Sequence, residues 1–339
     1  MKFYTSREKA LESLEIFVNK DIVNYSSKRN YDCGPIDRKN VSCLSPYITH
    51  RLIDEYEISK KILSKHPYQT VEKYIQEIYW RVYWKGWLEL RPKVWADFIE
   101  DLNIIEECKN YHQAINGQSK IECFNDWVKE IKEFNYLHNH TRMWFASIWI
   151  FTLGLPWQKG AEFFMKYLFD GDAASNTLSW RWVAGLQTKG KNYLAQSWNI
   201  NKFLNKKYQN IDLKENVPPL IDNREYKISP INIQESKSRS DYLIIFENDL
   251  SKKNLKIKNY KKIYFILLDN QQRSLKLDSK VLNYKKNIMK DQLKKIDDNL
   301  EFIDSNKIEE LLDSLKNVDI VYPSIGENMS FLSKKIEQK

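Results

Sequence analysis

Apolar residues recur at helical spacing through residues 1–205, and nothing there alternates with period two. Ala10, Leu11, Leu14, Ile16 and Phe17 follow a Thr5 or Ser6 cap and predict an amphipathic helix over 5–20. The same spacing predicts helices over 70–87, 124–136, 143–155 and 161–169, with helix and connection over 95–116. Residues 25–46, rich in Ser, Asn, Asp, Gly and Pro, predict an ordered loop of a length that is often functional. Past Lys207 the pattern changes. Residues 212–240 carry Pro218, Pro219 and Pro230 among polar residues and read as a linker. Beyond it, β-branched and aromatic runs at 242–247, 262–269, 300–304 and 318–322 predict buried strands, with helical patterns at 281–296 and 306–316 between the last three. The expected fold is therefore α + α/β. An all-helical domain (1–207) is followed by a linker (208–240) and a small parallel α/β domain (241–339).

Composition narrows the function classes. A chain of 339 residues suggests two cores, and the net charge of +9 is only a weak pointer to a phosphate-bearing partner. The four cysteines, Cys33, Cys43, Cys108 and Cys123, form no CxxC pair and sit at no short spacing to histidine, so neither a metal site nor a disulfide framework is expected. The N-terminus has no apolar leader and no apolar run reaches membrane-spanning length, which predicts a cytoplasmic protein without a membrane partner. Only one glycine, Gly326, lies in the second domain, which excludes a dinucleotide fingerprint or phosphate loop there. All 11 tryptophans fall between Trp80 and Trp198. So local an enrichment points to a site in the helical domain.

The candidate chemistry is clustered in sequence. Glu77, Trp80, Arg81 and Trp84 share one helix face, which serves equally as a core stripe with a local ion pair or as a ligand wall. HNHTRM (138–143) is a polar cluster opening an apolar helix. In DGDAASN (170–176), Asp170 and Asp172 suit the cap of a helix starting near Ala173. SWRW (179–182) supplies Trp180 and Trp182.

In this order the motifs resemble the FAD-binding helical domain of the DNA photolyase and cryptochrome family. HNHTRM is similar to the family's HNRLRM, DGDAASN to DGDxAxN, SWRWVAG to GWQWxAG, EIYWRVYW to ELIWREFY, and VSCLSPY to TSxLSPY, while Tyr25 and Arg29 match its YxxxR loop. The resemblance covers residues 1–205. It implies that Tyr25, Ser42, Leu44 and Ser45 contact the FAD phosphates and nearby groups. Arg142 and Asp170 would form a buried pair at the isoalloxazine edge, with Asp172, Asn139 and Arg81 near it and Asn176 facing N5. Glu77, Trp80, Met143 and Trp182 would receive a flipped-out pyrimidine dimer. Trp180 and Trp157 would begin an electron-transfer ladder, whose third position aligns with Ile104, and Trp127, Trp144 or Trp149 offer other exits.

The sequence also departs from the family. His140 replaces an arginine, which suggests a weakened or pH-dependent contact, and no α/β domain precedes the helical one. Two readings of the C-terminal domain stand side by side: a relocated, shortened antenna-type domain, or an unrelated accessory domain. The implied activity is that of a deoxyribodipyrimidine photolyase, a lyase. It would split cyclobutane pyrimidine dimers in DNA under blue light by electron transfer from reduced FAD, with no metal, as an expected monomer. A cryptochrome-like photoreceptor with FAD and a protein partner is the alternative. The sequence does not determine an antenna chromophore.

Overall fold

The computed structural model describes residues 3–208, 210–231, 240–251, 260–293 and 299–337. Its helical part starts at α1 (Arg7–Lys20), capped by Ser6, whose hydroxyl accepts from the Lys9 N–H. The stretch expected as loop contains a short helix, α2 (Tyr25–Lys28), and leads into α3 (Ser45–Thr49). Between them the backbone is irregular, and Cys43 sits at φ 52°. That left-handed geometry is unfavourable for a residue with a Cβ, and it delivers Ser42, Leu44 and Ser45 to the start of α3.

Helix α4 (Glu55–Leu63) packs on α5 (Tyr68–Glu89), the long helix that carries the Glu77 to Trp84 face. There follow α6 (Pro92–Ile104), α7 (Lys109–Ile115) and α8 (Glu122–Phe134), which ends on Asn135 in the left-handed conformation. The long helix expected over 143–155 is two pieces, α9 (Asn139–Ser147) and a π-helical turn at Ile148–Thr152. The wider turn seats Trp149 fully inside the core. Next come α10 (Trp157–Tyr167), α11 (Ala173–Ala184) and α12 (Ser197–Phe203). Helix α11 packs on α5, α9 and α10, so it is the central element of the bundle.

Residues 210–231 form no regular structure, yet they are strapped to the helices. Arg224 forks onto Asp101 (2.9 Å to each oxygen), Leu220 N–H donates to Ala184 O and Ser229 N–H to Leu90 O. Those backbone groups are satisfied by the bundle, which makes this stretch a brace where a free linker was expected.

The second part contains β1 (Tyr242–Phe246), β2 (Lys262–Ile266), α13 (Ser279–Leu293), β3 (Leu300–Ile303), α14 (Ile308–Ser314), β4 (Asp319–Ile320) and α15 (Glu327–Glu337). The sheet is parallel, in the order β3-β2-β1-β4, with Ile244 opposite Tyr264 and Ile320. One face, through Leu243, Ile245, Ile263 and Phe265, joins α13 and the residues of α1, α4 and α5 in a single core. The opposite face, through Ile244, Phe246 and Ile266, is covered by α14 and α15. Both faces are thus buried, as continuous apolar strands require. The sheet is not a separate body on a tether, because its inner face shares the core of the helices.

Candidate functional site

A cavity of about 650 Å³ opens between α2, α3, α5, α9 and α11. This lies in the range of cofactor and ligand sites. Tyr25, Ser42, Leu44 and Ser45 line one side, Glu77, Trp80 and Arg81 come from α5, and Asn139, Arg142 and Met143 from α9. Asp170, Asp172, Asn176, Trp180 and Trp182 complete it from the start and inner face of α11. Of the residues that the sequence singled out as site residues, Trp157 alone lies outside this lining. Six separate sequence motifs therefore converge on one space. Their shared position depends on α11 lying across α5 and α9.

The floor is ionic. Arg142 Nη2 donates to Asp170 Oδ2 at 2.9 Å, and its Nε donates to Leu137 O at 2.9 Å. Ser45 Oγ donates to the same Asp170 oxygen at 2.5 Å. Burial pushes the Asp170 carboxyl upward, but the guanidinium field of Arg142 and the two hydrogen bonds outweigh it and hold the group ionised. Asp170 Oδ1 has no partner in the protein. Asp172 has two roles. It caps α11 by accepting from Ser175 N–H (2.8 Å), and it pairs with Lys85 at 3.5 Å. Burial opposes its charge, yet Lys85, Arg81 and the Ser175 N–H bring its pKa down to about 2. Arg81, one turn before Lys85, donates to Thr49 Oγ1 at 2.7 Å. The site thus presents two fixed anions, each matched by cations on neighbouring helices.

The walls are aromatic. Trp80 is half exposed at the mouth and stacks on Trp84 (centroids 5.7 Å), with Tyr83 edge-on to it at 5.4 Å. Trp182 stacks on Tyr193 at 5.7 Å. Trp180 is buried to 1% exposure and its Nε1–H has no partner. Asn176 Nδ2 donates to Ala161 O at 2.9 Å, which fixes its carboxamide and leaves its oxygen and second N–H for a ligand. Glu77 does not pair with Arg81 on its own face; it meets Lys73 (3.2 Å) and Arg29 (3.8 Å). The Tyr25–Arg29 loop is thereby tied to α5. Tyr25, edge-on to Tyr74 at 4.9 Å, has its phenol held neutral by burial.

Some residues of the site were not foreseen: Tyr74, Tyr136 and His138 line the cavity, and Lys85, outside that lining, pairs with Asp172. Lys85 was accessible in principle, since it is one turn from Arg81 on the same helix. His138 opens the HNHTRM cluster, which was singled out, but no role was assigned to it. Burial lowers its pKa to about 4, and its Nε2 is buried without a partner. His140 behaves unlike the expectation of a titratable contact. It turns into the core, tilted against Trp144 at 4.2 Å with its Nδ1 3.0 Å from Asn30 O, and burial holds it neutral. Trp157, at the start of α10, packs against Phe98 (5.4 Å).

The residues present fit a flavin dinucleotide. The cavity volume suffices, hydroxyls and a fixed guanidinium lie along it, and three buried polar atoms, Asp170 Oδ1, His138 Nε2 and Trp180 Nε1, await partners. A second cavity, of about 60 Å³, lies where the ends of β1 and β4 meet α11, among Glu247, Arg273, Lys285 and Asn328. Open α/β sheets bind ligands at such a switch point. Here that place holds room for a few waters.

Comparison with known proteins agrees with this geometry. A profile of the FAD binding domain of DNA photolyase matches residues 74–263, more than half of the chain. A deoxyribodipyrimidine photo-lyase of Agrobacterium fabrum is 28% identical over 183 residues, covering 52% of this chain and 37% of that protein. One from Buchnera aphidicola is 25% identical over 260 residues, covering 68% and 53%. The chain thus spans about half the length, or less, of these curated relatives. A crystal structure of a cryptochrome from Synechocystis superposes with a TM-score of 0.53 at 18% identity, over 60% of this chain and 44% of that one, which shows a shared fold.

Proposed function

We propose, from the premise that this chain belongs to the family of FAD-binding domains of DNA photolyases, that it repairs cyclobutane pyrimidine dimers in DNA under blue light. The observation that carries the reading is the single cavity in which an ionic floor, Arg142–Asp170 with Asp172, lies beneath the aromatic pair Trp80 and Trp182. When bound, FAD in its reduced form supplies a light-driven electron donor, and the net reaction is redox-neutral.

The chain's residues bind, orient and shield. Ser42 offers its hydroxyl to phosphate oxygens, Ser45 donates its O–H to Asp170 and steadies that carboxylate, and the Arg142 guanidinium provides the fixed cation that an anionic ring system needs. Asn176, held by Ala161 O, presents its carboxamide to the ring nitrogen whose protonation decides which redox form persists. Trp80 and Trp182 wall the space that takes an extruded pyrimidine dimer, and they restore stacking that the duplex loses. Glu77 and Met143 complete that mouth, where Lys73 and Arg29 hold the carboxylate. Charge on His138 or His140 plays no part near neutral pH, because burial lowers both. The C-terminal sheet backs the site, with a crevice of about 60 Å³ where the ends of β1 and β4 meet α11.

The test is direct. The purified protein should show a bound flavin spectrum and, once reduced, restore intact thymines in dimer-containing single- and double-stranded oligonucleotides only under blue light, as read by chromatography. Absence of light-dependent repair in both substrates overturns the reading. A light-driven flavin change without repair would move it to a photoreceptor.

A further inference from the structure

We propose that Trp180, Trp149 and Tyr111 form a one-electron relay from the cavity to the protein surface, with Tyr111 as its outer, oxidisable end; this rests on the flavin reading above. Trp180 lines the cavity and meets Trp149 edge-on at 6.2 Å. Trp149, wholly buried in the π-helical turn, meets Tyr111 edge-on at 6.0 Å. Tyr111 is half-buried in α7, with exposed residues on both sides of it in the chain. Each link is within aromatic contact distance. The approach of the two indoles needs Gly160. A Cβ there would run into the Trp180 ring and stand 3.0 Å from Trp149 Nε1.

Ring contacts favour this route over the one through Trp157. That indole lies outside the cavity lining, and the Arg181 guanidinium 5.8 Å from its ring is paired with Asp222 at 3.5 Å. The chain also has an exposed Ile104 where a third tryptophan was expected. Trp127 and Trp144 stack on each other at 6.0 Å, and Trp144 continues to His140. Neither is among the rings packed on Trp180, which are Phe145, Phe164 and Trp149. Trp149 is better placed to lose an electron, because its Nε1–H donates to Pro156 O at 2.9 Å. Near Tyr111 the Lys159 ammonium, 5.7 Å from the ring, is balanced by Glu162 (3.1 Å) and Glu107 (3.5 Å).

The step balances as follows. One electron leaves Trp180 for the light-excited oxidised flavin, one from Trp149 refills Trp180, and one from Tyr111 refills Trp149. The Tyr111 O–H bond breaks and its proton passes to water, leaving a neutral tyrosyl radical. A small external thiol returns one electron and one proton to Tyr111, and two such thiols join as a disulfide.

The full chain, loaded with flavin and grown with ring-deuterated or ordinary tyrosine, is illuminated and frozen for electron paramagnetic resonance. The expected result is a radical signal that narrows on deuteration and is lost in Tyr111→Phe and in Trp149→Phe. Flavin absorbance and circular dichroism of each variant separate a broken relay from lost binding or folding. A tyrosyl signal that persists in Y111F, or one lost in W157F but retained in W149F, overturns the route and leaves the flavin reading standing. A wild-type protein that takes up no flavin overturns that reading and this proposal with it.

Discussion

Asp172 does the work of two residues, and acid titration separates them. It caps α11 and it answers Lys85 and Arg81, so its carboxyl titrates near pH 2 rather than near 3.8. A depressed carboxylate pKa contributes stability that is fully present above the unfolded value and lost as pH falls through the folded one. The contribution is about 2 kcal/mol and disappears between roughly pH 4 and pH 2. Asp172→Asn keeps a capping side chain but removes that dependence. Urea midpoints measured from pH 6 down to pH 2 should converge for the two proteins at the acid end; parallel curves would mean that the charge of Asp172 does not stabilise the fold. Asp170, by contrast, was paired with Arg142 in advance only through the resemblance. Its three partners, Arg142, Ser45 and the Thr49 hydroxyl, which donates to the Asp170 carbonyl, come from other segments.

At the level of elements, the packing of α10 on α11 decides the inner wall of the site. Gly160 lies in the middle of α10, where a glycine costs helix stability relative to alanine. The reason for it is tertiary, since a methyl group there meets the Trp180 ring. Gly160→Ala should therefore destabilise by about 1–3 kcal/mol through overpacking, against the propensity gain. Thermal melting by circular dichroism checks the sign, and a raised Tm would show that α10 and α11 have room to separate. The helix periods of α1, α5 and α10 were readable from apolar spacing because each buries one stripe. The π-helical turn at Ile148–Thr152 was not, since an apolar run buried on all sides has no period to betray one extra residue per turn.

Across the whole molecule, the two parts share a core and a buried ion cluster. Glu247, 2% exposed, accepts from Arg273 (2.5 Å) and Asn328 (3.0 Å) and lies 3.7 Å from Lys285, while its backbone carbonyl meets His50 Nδ1 at 2.8 Å. Burial opposes charge on both Glu247 and Lys285. Arg273 and Lys285 nonetheless hold the carboxylate at about 2, whereas burial lowers the Lys285 ammonium to about 8. Glu247→Ala leaves two buried cations without their counter-ion, at a cost of about 3–5 kcal/mol. All tryptophans lie in the helical part, so their fluorescence reports chiefly that part, Trp95 excepted, whose Nε1–H donates to Ser330 Oγ of α15 at 3.2 Å. If the molecule unfolds as one unit, E247A should lower the tryptophan-reported urea midpoint together with the circular dichroism midpoint. An unchanged tryptophan transition would show that the sheet unfolds independently.

The sequence by itself determined the class of each half and singled out 15 of the residues that line the cavity. Local apolar periods and contiguous motifs are short-range information, and a resemblance adds residue types in order. It did not determine that residues 210–231 brace the bundle, that His140 turns inward, or that Trp157 lies outside the cavity lining while Trp149 touches Trp180. Those are outcomes of which faces of distant helices meet. Facing is decided by close packing and by the pairing of buried charge, neither of which is written in the spacing along a single segment.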